Sequence, residues 1–342
     1  MGGDHGCGVV IAGAKRALEA HPNITALYLV GRRSDIHAAL PHRGFRDHRV
    51  RVVHASEVLT MEDKPVTAVR RKKDSSIVRA VDLVRDGTAD AVVSTGNTGG
   101  IFAAATFHLG RIPGVDRGGI ATIIPTPEHE FVLLDAGANI ECKPLNLAQY
   151  AVMGSVYSKK LLGHRKPRVG ILSIGTEESK GNELTLEAFK LCKKLDLNFI
   201  GNVEGHDLFK DRVEVVVCDG FVGNIVLKTC ESLALAVFGM LKRELTASPR
   251  RQLGALLAHN AFRAIRRRMN PENYGGAPLL GFNGVVMKAH ASAGEKDIAS
   301  AIRVTLETLQ HHVRQSIVEE ITHANERLET ADPGVAAAPI SA

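Results

Sequence analysis

The chain of 342 residues has 44% hydrophobic side chains and a formal net charge of +6, enough apolar material for one large α/β domain or two ordinary ones. Aromatic residues are 4% of the total and tryptophan is absent, which argues against a base-stacking surface and so against a nucleic-acid partner. Five cysteines without C-x-x-C spacing fit a reducing compartment and give no zinc signature; lacking a signal peptide or an apolar run of roughly 18 residues, the chain reads as soluble or as resting on a membrane without crossing it.

The first residues, MGGDHG, form a glycine-bearing polar loop ahead of a helical pattern, with Gly3 in an anion-holding backbone and Asp4 and His5 as a candidate acid–base pair. Apolar, β-branched runs then predict strands at 25–31, 50–54, 90–94, 120–125, 131–136, 168–174, 197–203, 213–219 and 283–289, with helical patterns between most of them. That alternation marks an α/β fold around a largely parallel, buried sheet. Ligands in such sheets bind at the carboxyl ends of strands. Polar loops with glycine follow four of the strands, at 95–100, 136–146, 175–183 and 219–224. With the opening loop they are expected to make one continuous polar floor along a sheet edge.

In STGNTGG (94–100), Ser94, Gly96, Asn97, Thr98 and Gly99 offer open amides and side-chain donors where a helix begins. This is either a seat for a phosphate-sized anion or a plain strand-to-helix turn. Neither the nucleotide P-loop nor the G-x-G-x-x-G fingerprint is present. Lys180, in a loop with Gly175 and Thr176, can neutralise a phosphate or a developing oxyanion, or be a solvated surface lysine. Asn224 reads as a helix cap that can also donate to an oxyanion; Gly223 lies beside it, and Asp219 either starts that helix or orients Lys180 or Asn224. Cys218 reads as a small apolar residue of a buried strand rather than an acyl-accepting nucleophile. The sequence has no G-x-S-x-G elbow and no clear metal-binding constellation. Anion seats and oxyanion donors without a covalent nucleophile suit attack by a small anion on an activated acyl group. Inorganic phosphate fits, being largely dianionic near neutrality, so that positioning and charge stabilisation are the protein's work.

Residues 242–268 hold eight basic side chains (Lys242, Arg243, Arg250, Arg251, Arg263, Arg266, Arg267 and Arg268) and a single acid, Glu244. The partner such a patch suggests is anionic. Leu253, Leu257, Ala261 and Ile265, with Leu256 alongside, recur at helical spacing, which suits a helix lying in an anionic headgroup layer or one packing on a dimer partner. A linker is read at 247–252, and the small, proline-containing tail 328–342 is expected to be disordered.

Taken in order from residue 1 to about 325, MGGDHG, RKKDSSIVRAVDLVRDGTADAVVSTGNTGG, DAGANIECKPLNLAQYAVMG, ILSIGTEESKGNE, NVEGHDLF, VVVCDGFVGNIVLKT and GGAPLLGFNG resemble the bacterial phosphate acyltransferase family. The resemblance implies a single Rossmann-like α/β/α domain over 1–327, related to phosphotransacetylases and to isocitrate and isopropylmalate dehydrogenases. It implies transfer of a fatty acyl group from acyl-acyl-carrier-protein to inorganic phosphate, by direct attack and without cofactor or metal, giving acyl phosphate for phospholipid synthesis. Lys180 and Asn224 become the catalytic candidates, with Gly3, Asp4, His5, the 94–99 loop, Gly175, Thr176, Asp219 and Gly223 around them. The implied partners are acyl carrier protein, a second copy of the chain, a downstream acyl-phosphate:glycerol-3-phosphate acyltransferase and, through 240–270, the cytoplasmic face of the membrane. The rival readings are a short-chain acyl-CoA phosphotransacylase, a dehydrogenase-like enzyme with a metal-binding aspartate cluster, and a non-catalytic membrane or carrier-protein adaptor. Two departures stand out. The family has a short strand directly before MGGDHG, so the first strand is expected to be missing, by truncation or a late start, leaving a slot in the sheet. The family also has glycine where Ala291 stands, which would strain a left-handed backbone.

Overall fold

The structure, a computed structural model, describes residues 2–42, 45–268 and 274–331. All nine expected strands form: β1 (Leu27–Gly31), β2 (Val50–His54), β3 (Ala91–Ser94), β4 (Gly119–Pro125), β5 (Glu130–Leu134), β6 (Arg168–Leu172), β7 (Asn198–Val203), β8 (Val215–Val217) and β10 (Val285–Lys288). An unexpected strand, β9 (Ala277–Leu280), lies antiparallel between β10 and β4. β1 and β2 make a separate parallel pair, and the other eight strands form one sheet in the order β3-β10-β9-β4-β5-β8-β6-β7. Parallel pairings outnumber antiparallel ones five to three, so the fold is α/β around a mostly parallel sheet.

Burial on both faces explains the continuous apolar runs. On β5, Val132 and Leu134 join the core around α6 (Pro144–Tyr157), while Phe131 and Leu133 join Ile124, Leu208 and Val213 on the other side. Helix α6 is buried almost all round, so its sequence shows no polar stripe. α7 (Glu183–Lys194) and α12 (Val313–Ala331) pack against it. Across β3 and β10, α1 (Gly6–Ala20) and α11 (Glu295–Gln310) cover one face. α4 (Ser76–Arg85) and α5 (Thr98–Ala104) cover the other. α4 touches both β1 and β3, each of which has one edge without a strand partner among the described residues.

The strand directions correct the expectation of one polar floor. The antiparallel pairs β10–β9, β9–β4 and β4–β5 leave β5, β8, β6 and β7 running opposite to β3 and β10. Loops after the two groups of strands therefore leave from opposite edges of the sheet.

Four further readings change. α8 (Gly220–Thr246) is 27 residues long and is followed closely by α9 (Pro249–Leu257) and α10 (His259–Arg268). Because the Ser248 side chain caps α9 with Pro249 in its first turn, the linker is Ala247–Ser248 rather than 247–252, and the apolar stripe is divided between two helices. α8 is also long and apolar enough to cross a membrane by length and composition. Lys228 and Glu231 interrupt that run in the sequence, but in the helix they pair at 2.7 Å. Finally, α12 extends to Ala331 with Leu328 buried, so 328–331 is helix rather than tail. The rest of the expected tail, Met1 and residues 269–270 of the basic tip lie outside the described residues. Ala291 has no positive φ, so the strain considered for it does not arise.

Candidate active site

The turn after β5 and the start of α8 reach across to the other group of strands. Ala136 is buried among Leu59, Ile77 and Ile101, and Ala138 and Leu227 pack onto the same cluster. The turn after β5 and the first turns of α8 thus fold onto the α5 face of the sheet.

Asp135 organises that junction. It is fully buried, and Oδ1 accepts the N–H groups of Ile120 at 3.0 Å, Gly137 at 3.1 Å and Ala138 at 3.0 Å. Oδ2 accepts the backbone N–H of Asn139 at 2.8 Å and its side-chain amide at 2.9 Å. Burial pushes the carboxyl pKa up, and these donors oppose it by holding the carboxylate. Gly223 rests directly on this residue: a Cβ there would lie 1.9 Å from the Asp135 carbonyl oxygen. Gly137, with φ +133°, gives Asn224 its room, since a Cβ at Gly137 would lie 3.3 Å from Asn224 Cβ.

Asp219, not Asn224, caps α8: its Oδ1 accepts the Val222 N–H at 2.9 Å. Asn224 lies one turn inside the helix and is exposed, which leaves its amide open to a ligand. Cys218, just before the cap, is 2% exposed, donates weakly to the Asp135 carbonyl, and has a thiol pKa that burial pushes well up. It is a poor nucleophile in this state.

Lys180 leaves from the strand next to β8, since β6 and β8 are paired. Its loop is pinned through the backbone. The Lys180 N–H donates to Glu177 O at 3.0 Å, and the Lys180 carbonyl accepts Ser173 Oγ at 3.3 Å and the amide of buried Asn202 at 3.3 Å. Gly175 lets the lysine stem pass, with a Cβ there only 2.7 Å from Lys180 Cγ. The ammonium is exposed, as is neighbouring Thr176, and forms no ion pair among the described residues.

On the α5 side the donors are more committed. Ser94 Oγ accepts the Gly96 N–H at 3.2 Å. Asn97 caps α5 by accepting the Gly100 N–H at 2.8 Å, and its amide donates to Thr60 O at 3.0 Å and Met61 O at 3.3 Å. Gly99 faces the Pro65 ring, where a Cβ would come within 2.5 Å, while Thr98 is exposed. Gly3 is wedged against Thr95 and Ala291, and the Asp4 N–H donates to Ala291 O at 3.0 Å. Asp4 and His5 are exposed, and no hydrogen bond joins them.

One group of metal-ligating side chains occurs among the described residues, His129, Asp211 and Glu214, away from this junction. Arg168 already bridges its two carboxylates, at 3.3 Å to Asp211 and 3.0 Å to Glu214.

The model of the family described as "Fatty acid synthesis protein" matches residues 1–316. A phosphate acyltransferase of Desulfitobacterium hafniense is 48% identical over 322 residues, covering 94% of this chain and 96% of that protein. One of Heliobacterium modesticaldum is 49% identical over 324 residues, with coverage of 94% and 96%. The chain belongs to the phosphate acyltransferase family. Its fold is shared with a phosphotransacetylase of Streptococcus pyogenes, at a TM-score of 0.59 and 19% identity, covering 88% of this chain and 93% of that one. A branched-chain phosphotransacylase of Enterococcus faecalis gives a TM-score of 0.51 at 14% identity, covering 90% and 97%. Sequence reasoning singled out none of three buried polar residues that the structure brings out: Asp135, Asn202 and a lysine on β10, Lys288. Only Asp135 carries a signal, as a charged residue directly after a buried apolar run.

Proposed function

We propose that the enzyme transfers a fatty acyl group from acyl-acyl-carrier-protein to inorganic phosphate, by direct attack. The observation that supports this is that Lys180 and Asn224 are both exposed donors, Lys180 in the loop after β6 and Asn224 at the start of α8 after the adjacent strand β8, while Cys218 at the end of β8 is buried with its thiol pKa pushed well up. A phosphate oxygen attacks the thioester carbonyl carbon, the C–S bond breaks, and the phosphate proton passes to the departing carrier thiolate. Acyl phosphate and free carrier thiol are the products. Lys180 offsets the phosphate charge and the Asn224 amide donates to the oxyanion. Lys180→Ala and Asn224→Ala should each lower turnover about 10²-fold, measured as acyl phosphate formed and carrier thiol released. Near-normal turnover in both removes them from the mechanism; activity with short-chain acyl-CoA alone favours the short-chain reading.

The arm α8–α10 supports the proposed partners. Leu233, Leu235 and Val237 stand exposed along α8, and Leu253, Leu256 and Leu257 along α9. We place a second copy of the chain along α8, and the cytoplasmic membrane surface, or the acidic carrier protein, at the basic tip. Acyl phosphate then leaves for an acyltransferase that uses glycerol 3-phosphate. Leu257→Glu should abolish flotation with anionic vesicles while the oligomer persists on sizing. Wild-type protein that ignores such vesicles at low salt ends the membrane reading.

A further inference from the structure

The cation that neither the sequence reading nor the proposed mechanism uses is Lys288. It ends β10 in register with Ser94 of β3. Along β10, Met287 joins the core beneath α1 and α11, whereas Val286 joins the cluster beneath α5. Alternation puts the Lys288 side chain on the Val286 face, the one covered by α5 and Leu227. The residue is 7% exposed. Its ammonium donates to the Ala289 carbonyl, and no carboxylate lies within ion-pair distance among the described residues. An ammonium has three donors, and lysine is seldom buried to this degree without a counter-charge.

Two charges bear on it: Asp4 of the opening loop favours its protonated form, and Lys228 of α8 disfavours it. Lys228 has a carboxylate of its own, Glu231 at 2.7 Å, and Asn224 lies one turn before it on the same side of the helix. Lys288 is thus the point at which the opening loop, the end of β3 and the start of α8 meet. A buried ammonium so placed, with donors left over, is suited to an anion.

We infer that Lys288 is a binding residue for inorganic phosphate, holding the nucleophile at the junction of β3, β10 and α8. The inference rests on the proposed phosphate acyl transfer. Burial and Lys228 lower the Lys288 pKa to about 8, and a phosphate dianion beside it would favour the charged ammonium.

The test uses inorganic phosphate with the full chain and two variants, Lys288→Met and Lys288→Gln, the smaller polar one deciding should the first not fold. Loss of one charge-assisted contact predicts a KM for phosphate raised about ten-fold or more, with the KM for the acyl donor within about two-fold. The rise in thermal midpoint that phosphate gives the wild type should vanish in the variant. Its phosphate-free midpoint should hold or increase, because an unpaired buried charge has been removed. An unchanged phosphate KM and midpoint response, or a rise confined to the acyl donor, overturns the role of Lys288. A wild type that neither binds phosphate nor forms acyl phosphate instead overturns the underlying reaction.

Discussion

Replacing Gly223 by alanine tests whether Asp135 positions the end of α8 that carries Asn224, the proposed oxyanion donor. Inside a helix, Gly→Ala ordinarily stabilises by about 1 kcal/mol. Here the new Cβ would lie 1.9 Å from the Asp135 carbonyl oxygen, 2.9 Å from its carbon and 3.1 Å from Cys218 Sγ. Relief to an ordinary contact needs a shift of about 1.5 Å. Asp135 cannot supply it, since five hydrogen bonds fix its carboxylate and a sixth, its own N–H to Cys218 O at 3.0 Å, fixes its backbone. The helix must move instead. Overpacking of this kind costs about 1–3 kcal/mol, and backbone against backbone puts it at the upper end. After the helix-propensity gain, the net loss is about 2 kcal/mol. Asn224 is the next residue and moves with the helix, and a misplacement of about 1 Å at a reacting centre costs about 10²-fold in rate. Denaturant unfolding followed by circular dichroism, together with steady-state acyl phosphate formation, measures both. Gly205→Ala is the control, because nothing lies within 4 Å of a Cβ there. Full stability and full turnover in Gly223→Ala would refute the seat on Asp135.

Cys218→Ser should retain most activity, because in the proposed direct attack the thiol takes no acyl group. Mass spectrometry of wild-type enzyme incubated with acyl donor and no phosphate should find Cys218 unmodified; an acylated Cys218 would establish a two-step route. Glu214 predicts an acid limb in stability. Burial raises its carboxyl pKa, but the Arg168 hydrogen bonds outweigh it and leave the pKa below the ordinary 4.5. A depressed folded pKa contributes stability above 4.5 and loses it as pH falls through the folded value, so thermal midpoints below about pH 4.5 should drop more steeply in wild type than in Glu214→Gln.

The central strands β5 and β8 were legible because a strand buried on both faces must be apolar throughout, as 131–134 and 215–217 are, while β2 was legible from its β-branched valines although Arg51 and His54 are exposed. β9 was not, since Ala277–Leu280 is four residues long, contains Pro278 and is flanked by glycines that read as turns. The reversal of the sheet left a signal that the loop pattern overshadowed. Only residues 126–129 separate β4 from β5, and a parallel crossover needs a dozen or more. Lys180 and Asn224 could be named because polar residues in glycine loops after strands advertise themselves. Lys288 could not, because VVMKA reads like any strand that ends at a solvated lysine. Its isolation from carboxylates is a property of what folds over it. The same holds for Asn97, whose amide looked available in STGNTGG but is spent on Thr60 and Met61, residues far away in sequence.

The length of α8 decides what can cover it. Its first turns belong to the body: Gly220 and Gly223 are buried, Val222 and Val226 pack behind β8, and Leu227 packs under α5. A membrane-spanning role for this helix would have to begin beyond the Lys228–Glu231 pair, leaving Ser232–Thr246. Fifteen residues at about 1.5 Å each reach about 22 Å, short of the roughly 30 Å hydrocarbon core, and the last turns carry Lys242, Arg243 and Glu244. Inserting the whole helix instead would draw Asn224 away from Gly137 and break the seat on Asp135. The apolar surface of α8 therefore calls for a lateral cover, with the basic helices α9 and α10 left at its far end, about 40 Å from the Asp219 cap. A helix anchored on Asp135 at one end and presenting leucines and arginines at the other fits the side-by-side copy proposed above better than passage through a bilayer.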